Sequence, residues 1–246
     1  MLKSPVYQKR FYRNWGKTAG LARCHFCFQE TDLCILTDKP VDKKFLAAQV
    51  RAYRWQIQAY GDRDPRFLSS LKPVPVEHSA TALIKEMASA SRKAGVGPMA
   101  SVAGALAHML GMDLLRRGFK EVIIENGGDI FMASTKERTV AIYAGDNRRW
   151  KKLGLKVKPR DTPLGICASS GTIGHSLSFG SADSVVIISP SASLADAAAT
   201  ATANRVKSSG NIEEAVRFAR SIRGVTGVVI IAGDALASWG RIEFTV

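Results

Sequence analysis

Asp196 and Thr200 stand four residues apart in the alanine-rich run LADAAATATAN, a spacing that puts both on one face of a helix. A carboxylate and a hydroxyl so placed can give two hard oxygens to Mg2+. That ion keeps few protein ligands and completes its shell with water and substrate phosphates. A local role fits the same residues: Ser193 followed three residues later by Asp196 has capping-box spacing, and an acid early in a helix favours its dipole. Just upstream, Ser169-Ser170-Gly171-Thr172 offers hydroxyls and a pliant backbone at the end of a strand, suited to phosphate or carbonyl oxygens. It is not a nucleophile elbow, because neither serine has glycines on both sides in the G-x-S-x-G pattern. His175, between Gly174 and Ser176, is the candidate proton donor, or else a hydrogen-bonding partner of its own loop. Cys167, between Ile166 and Ala168, reads as a buried core thiol.

Three other stretches carry chemistry-bearing residues. In KEVIIENGGDIF, Gly127 and Gly128 suit a type I′ hairpin, which demands positive φ, and Asp129 adds a carboxylate beside an apex without side chains. A ligand could approach that backbone. The Gly95–Gly97 turn before Pro98 opens a helix, where free N–H groups favour an anion. Gly97 is the candidate contact, although Gly97, Ser101, Gly104 and Ala105 equally make a smooth face for another backbone. Cys24 and Cys27 form a CxxC around His25, which raises a zinc or redox reading. One CxxC without a second pair falls short of a structural zinc site. RCHFCFQETDLCILTD also reads as a hairpin with a polar turn at 29–32, Cys24, Phe26 and Phe28 on one face and His25 and Cys27 on the other. Reduced thiols in a hairpin are the expected state.

The elements that must position these groups form an α+β pattern. Helical spacing predicts helices over 41–60 (ending at Gly61), 80–93, about twenty residues from Pro98, 191–207 and 212–223. Strands are predicted over 184–189, 225–232 and 241–246, and 139–144 is expected to pair with 153–158. EVIIENGGDIF and GVVIIAGDALA recur after two helices, so internally duplicated helix–helix–strand units on antiparallel or mixed sheets are expected. No Pro/Ser-rich linker divides the 246 residues, so residues 1–246 are read as one domain, with 1–22 a basic N-terminal arm.

A net charge of +14 comes partly from six basic residues before the first acid, Glu30, and from a second cluster around Trp150. Such patches concentrate anionic partners. No zinc-finger or RRM signature accompanies them, so the expected partner is a small anionic ligand rather than nucleic acid. The longest unbroken apolar runs are too short to cross a bilayer, and the basic N-terminus has no apolar signal core. A cytoplasmic protein without a membrane partner is expected, and a homo-oligomer is compatible with the sequence.

Together, GVGPMASVAGA, ENGGDI, SSGTIGHSLSFG and ADAAAT resemble the ApbE superfamily, and most closely a cytoplasmic branch of it found in bacteria and archaea. The superfamily signature pairs a GG turn, matched by Gly127-Gly128, with an A-D-A-x-x-T helix, matched by Ala195, Asp196, Ala197 and Thr200. The resemblance implies an ApbE-like, T-fold-related architecture. Its best-known members are FAD:protein FMN transferases, which move the FMN moiety of FAD onto a Ser or Thr of a target protein with Mg2+. By resemblance, Asp196 and Thr200 correspond to their metal ligands, and Mg2+ with FAD or FMN would be the cofactors. Two departures stand out. Met99-Ala100-Ser101 replaces the transferases' Lys-Gly, and His175 precedes SLSFG rather than I-x-D-P-x-T-G. The resemblance therefore implies either a flavin- or phosphate-binding transferase, or a metabolic or binding factor on the same scaffold. For that branch, a role in sulfur assimilation is the associated expectation.

Overall fold

The computed structural model describes residues 20–145, 147–170 and 180–245. His175, Gly171 and Thr172 lie outside the described residues, as does all of the basic arm before residue 20. Eleven strands and six α-helices are described. Strands β1 (Ala22–Phe28) and β2 (Thr31–Thr37) are followed by helices α1 (Lys43–Arg63), α2 (Arg66–Ser69), α3 (Ala82–Ala94) and α4 (Val102–Arg116). Then come β3 (Val122–Asn126), β4 (Asp129–Ala133), β5 (Arg138–Ala141), β6 (Gly154–Val157), β7 (Leu164–Ser169) and β8 (Ser184–Ser189). Helices α5 (Ala192–Ala203) and α6 (Ile212–Ser221) precede β9 (Gly227–Ala232), β10 (Ala235–Gly240) and β11 (Phe244–Thr245).

One sheet has the order β1-β2-β3-β4-β7-β8-β9-β10, and a smaller one has the order β11-β6-β5. Every pairing in both is antiparallel. Each half of the large sheet runs hairpin, helices, hairpin, and β4 meets β7 at the centre. Period-2 alternation divides the side chains between two faces. Leu33, Ile35, Ile124, Phe131, Cys167, Val185 and Ile230 face the helices. Met132, Leu164, Ile166, Val186 and Ile231 face the small sheet, through Leu155 and Val157.

Several local expectations are met by identifiable devices. Asp42 caps α1 by accepting from the Lys44 N–H at 2.8 Å. Gly95, at φ 75°, closes α3 in the left-handed region. Gly127 and Gly128 take φ of 70° and 103°, so ENGGD is a hairpin turn as its sequence demands. Other expectations need correction. Helix α1 does not end at Gly61 but runs through it. A Cβ there would lie 2.3 Å from Leu68 Cδ1, so this glycine serves close packing of α1 on α2. The first hairpin turns at 29–30 rather than over 29–32, which leaves Asp32 inside β2 opposite Cys27. Pro98–Arg116 is long and apolar enough by length and composition to cross a membrane, although Ser101, His108 and Asp113 interrupt its apolar residues. Half of it is buried inside this fold.

The far end of the β3–β4 hairpin is tied to β5 through Glu121. Its carboxylate accepts from Ser134 Oγ at 2.6 Å, the Thr135 N–H at 2.7 Å and Arg138 Nη2 at 2.8 Å. Burial pushes the carboxyl pKa up, but the Ser134, Thr135 and Arg138 bonds outweigh it and hold the group at about 2. A depressed carboxylate pKa contributes stability that is present above the unfolded value and lost as pH falls through the folded one. Glu121→Gln should therefore unfold more easily than the parent at pH 7, by roughly 1–3 kcal/mol. The gap should close between about pH 4.5 and pH 2. Urea titrations at both ends of that window check it, and a gap independent of pH would contradict the assignment.

Candidate functional site

The site is built around α5. Ten of its twelve residues are buried, and alanine dominates them, so the helix is thin enough to lie between α3, α4 and β7. Two glycines set how close it comes. A Cβ on Gly104 of α4 would lie 2.3 Å from Ala192 O and 2.7 Å from Asp196 Cβ, and one on Gly165 of β7 would lie 2.2 Å from Ala192 Cα. His108 of α4 reinforces this junction by accepting from the Ala192 N–H at 3.5 Å, its ring packed edge-on to Phe131. Burial lowers its pKa, against the opposing charge of Glu86, which favours the neutral acceptor.

Asp196 does not cap its own helix. Ser191 does, accepting from the Leu194 N–H at 3.1 Å while donating to Glu86 Oε1 at 2.7 Å. The Oγ of Ser193 is buried and has no hydrogen-bond partner among the described residues, so the capping-box spacing is coincidental. Asp196 sits in the second turn and reaches to α4 instead. Its Oδ2 accepts from the Gly104 N–H at 2.9 Å, and the Ala103 N–H also donates to the carboxylate. The acid of one helix thus caps another, where free N–H groups and the dipole favour an anion. Burial still dominates and raises the Asp196 pKa to about 7, although the Gly104 and Ala103 bonds pull it down. Asp196 and Thr200 both keep part of their surface exposed, one turn apart on the same face.

The sheet beneath supplies more polar groups. Asn126 pairs with Asp129, and Asp129 with Cys167, across β3, β4 and β7. Asn126 Nδ2 donates to Ala103 O at 3.2 Å, joining the ENGGD turn to the same end of α4. Cys167 Sγ lies 3.3 Å from Ala192 O, its donor bond to the start of α5. Burial pushes the thiol pKa well up, and the Asp129 and Asp196 carboxylates push it further, so Cys167 is an inert core thiol. Two residues on, Ser169 is buried, and its Oγ has no hydrogen-bond partner among the described residues. Ser170 Oγ bonds to Ala182 O at 3.5 Å.

The remaining expected contacts fare differently. The Gly128 N–H is already given to Glu125 Oε1 at 2.9 Å. A Cβ on Gly128 would meet nothing closer than Ala168 O at 4.0 Å, so its glycine answers to φ rather than to crowding. Gly97 packs against another segment: a Cβ there would lie 1.7 Å from Ser70 O, so close backbone approach accounts for this glycine. Asp129 and Asp196 therefore lie near Cys167, with Asp196 also at the start of α4, and Ser169 stands two residues along β7 from that thiol. Asn126 joins them as a polar neighbour of the glycine turn and Gly104 as the close-approach glycine that the sequence suggested; of the three, Ala103 alone carried no signal in the sequence. The oxygens offered here are hard donors, the class that Mg2+ takes.

A family model described as "AbpE bacteria" matches residues 13–233. The chain belongs to this family. A UPF0280 protein of Methanocella arvoryzae is 41% identical over 214 residues, covering 87% of this chain and 86% of that protein. A UPF0280 protein of Methanothermobacter thermautotrophicus is 41% identical over 201 residues, covering 80% and 78%. Among solved structures, the flavin transferase ApbE from Vibrio cholerae superposes with TM-score 0.57 at 12% identity, covering 91% of this chain and 97% of that one. The apo flavinyl transferase ApbE of Pseudomonas stutzeri gives TM-score 0.56 at 11% identity, covering 91% and 94%. The chain thus has an ApbE-like α+β fold, and at such identities the likeness speaks for fold alone.

Gly104→Ala should destabilise the protein by about 1–3 kcal/mol, because overpacking against backbone and Asp196 cannot relax into solvent. Chemical denaturation of the two proteins measures it. Equal midpoints would show that α5 does not press on α4 as described.

Proposed function

We propose that this protein binds a flavin nucleotide, FAD or FMN, through its phosphates with Mg2+ held by Asp196 and Thr200. The observation that carries the reading is the Asp196 carboxylate. It is pushed to about 7 by burial, yet part of its residue remains exposed beside Thr200. Burial disfavours the charged form of this carboxyl, so a cation that shares the charge would take the proton's place there, and the hard-oxygen donors suit Mg2+. Fold likeness to flavin transferases supplies the choice of ligand.

Bound there, Mg2+ would neutralise phosphate charge and make a phosphorus centre easier to attack. The chain's own residues do the positioning. The Gly104 and Ala103 N–H groups hold one edge of Asp196, Asp129 adds negative charge from the sheet, and the Ser169 hydroxyl is available to a ligand oxygen. Net positive charge over the chain favours the approach of an anionic nucleotide. His175 completes the reading as the proton-transfer candidate. The reaction proposed for this arrangement is transfer of the FMN moiety of FAD: a protein hydroxyl oxygen bonds to the FMN phosphorus, the pyrophosphate P–O bond breaks with AMP as the leaving group, and the hydroxyl proton passes to a base, for which His175 is the candidate.

Calorimetric titration with FAD and FMN, with and without Mg2+, tests the proposal. Binding should tighten with Mg2+, and Asp196→Asn should weaken the metal-dependent part at least about tenfold. Protons compete with the cation for Asp196, so Mg2+ affinity should fall as pH drops from 8 to 6, approaching about tenfold per unit below pH 7. Silent titrations with both flavins in every condition would sink the reading.

A further inference from the structure

The first hairpin places a second, chemically different donor set on the opposite side of the large sheet. His25 Nε2 lies 2.6 Å from Asp32 Oδ1, Cys27 Sγ lies 3.5 Å from His25 Nε2, and Cys27 Sγ lies 3.3 Å from Asp32 Oδ1. All three potential ligand atoms fall within 4.8 Å of one another. We propose that His25, Cys27 and Asp32 form a binding site for a divalent transition metal of the Zn2+ class, with one coordination position open to solvent.

The strand geometry makes the grouping a rigid one. Cys27 and Asp32 are cross-strand partners, and His25 is two residues back on the same face of β1. Cys24 is on the other face, packed with Phe26 and Phe28 against the helix-side core. The CxxC spacing is therefore not the ligand pair; His25-x-Cys27 with Asp32 is. The hairpin register rests on its turn, where Gln29 holds φ 53° and Arg54 of α1 grips the chain. Arg54 donates to Gln29 Oε1 at 2.9 Å and to Thr31 Oγ1 at 2.8 Å, and also pairs with Glu30. Asp32 is nearly buried, whereas the His25 side chain is 52% exposed, so one ligand is fixed and another can swing.

The separations suit tetrahedral coordination. With metal–sulfur bonds of about 2.3 Å and metal–nitrogen or metal–oxygen bonds of about 2.0–2.1 Å, sulfur should stand about 3.5 Å from the other donors. Both sulfur separations are already near that value. The nitrogen–oxygen pair would have to open by roughly 0.7 Å, which the exposed histidine permits. A mixed N, S and O set selects Zn2+ or Co2+ over Mg2+, and three protein ligands leave the fourth position for water or an added anion. Binding releases the Cys27 thiol proton to solvent as the metal–sulfur bond forms.

The test uses the full chain, reduced with a phosphine rather than a thiol, and titrated with Co2+ and then Zn2+. A thiolate-to-cobalt charge-transfer band should rise to one equivalent and be bleached by Zn2+. Cys27→Ser should abolish the band, and Asp32→Asn or His25→Ala should weaken binding at least about tenfold. Cys24→Ser should leave the band intact. Circular dichroism on each variant separates loss of metal from loss of fold, and exposed His25 gives the variant least prone to misfold. No band, a band that survives Cys27→Ser in a folded protein, or one lost with Cys24→Ser would each overturn the proposal.

Discussion

The close seating of α5 between α4 and β7 is the constraint on which the rest depends. A helix of ordinary side chains would hold its neighbours about 8–10 Å away. This one is lined with alanine and faced by Gly104 and Gly165, so backbone meets backbone. The approach brings the Asp196 carboxylate within reach of the α4 N–H groups and holds Cys167 under Ala192. It also explains why a carboxylate sits so far from its ordinary pKa. The seating that gives it two backbone donors removes most of its water. Site and core are here the same packing problem.

Much of this was legible in the sequence, because it depends on local rules. The period-2 alternation of RCHFCF, the NGG turn and the glycine stop at Gly95 each involve a few adjacent residues, and each is found in the fold. The shared face of Asp196 and Thr200 also follows from spacing alone. What could not be read depends on partners far along the chain. Ser193 and Asp196 have capping-box spacing, yet Ser191 caps the helix and Asp196 turns to Gly104. Gly61 has the look of a helix stop, but it is there because Leu68 lies against it. The His25–Cys27–Asp32 group was hidden by the more familiar CxxC, whose two cysteines fall on opposite faces of a strand.

The large sheet separates two kinds of donor. On its helix side the oxygens of Asp129, Ser169 and Asp196 surround an inert thiol. On the other side, a histidine, an exposed thiol and a nearly buried carboxylate meet. On the two proposals, hard and borderline cations partition across the sheet, each to the face whose donors match it. Neither group requires the other, since one is set by helix packing and the other by a hairpin register.

The bond between Gly104 and Asp196 has a consequence for how the chain is made. The two residues are 92 positions apart, and the acid emerges from synthesis second. Helix α4 is therefore complete while the carboxylate that satisfies its first N–H groups does not yet exist. Until α5 arrives, water must serve that helix end, and the apolar stripe meant for α5 stands uncovered. Such exposure is the stage at which a growing chain is most open to misassociation. An early hairpin, an unfinished helix end and a later alanine helix then set an order for this junction, which closes only after Asp196 has emerged.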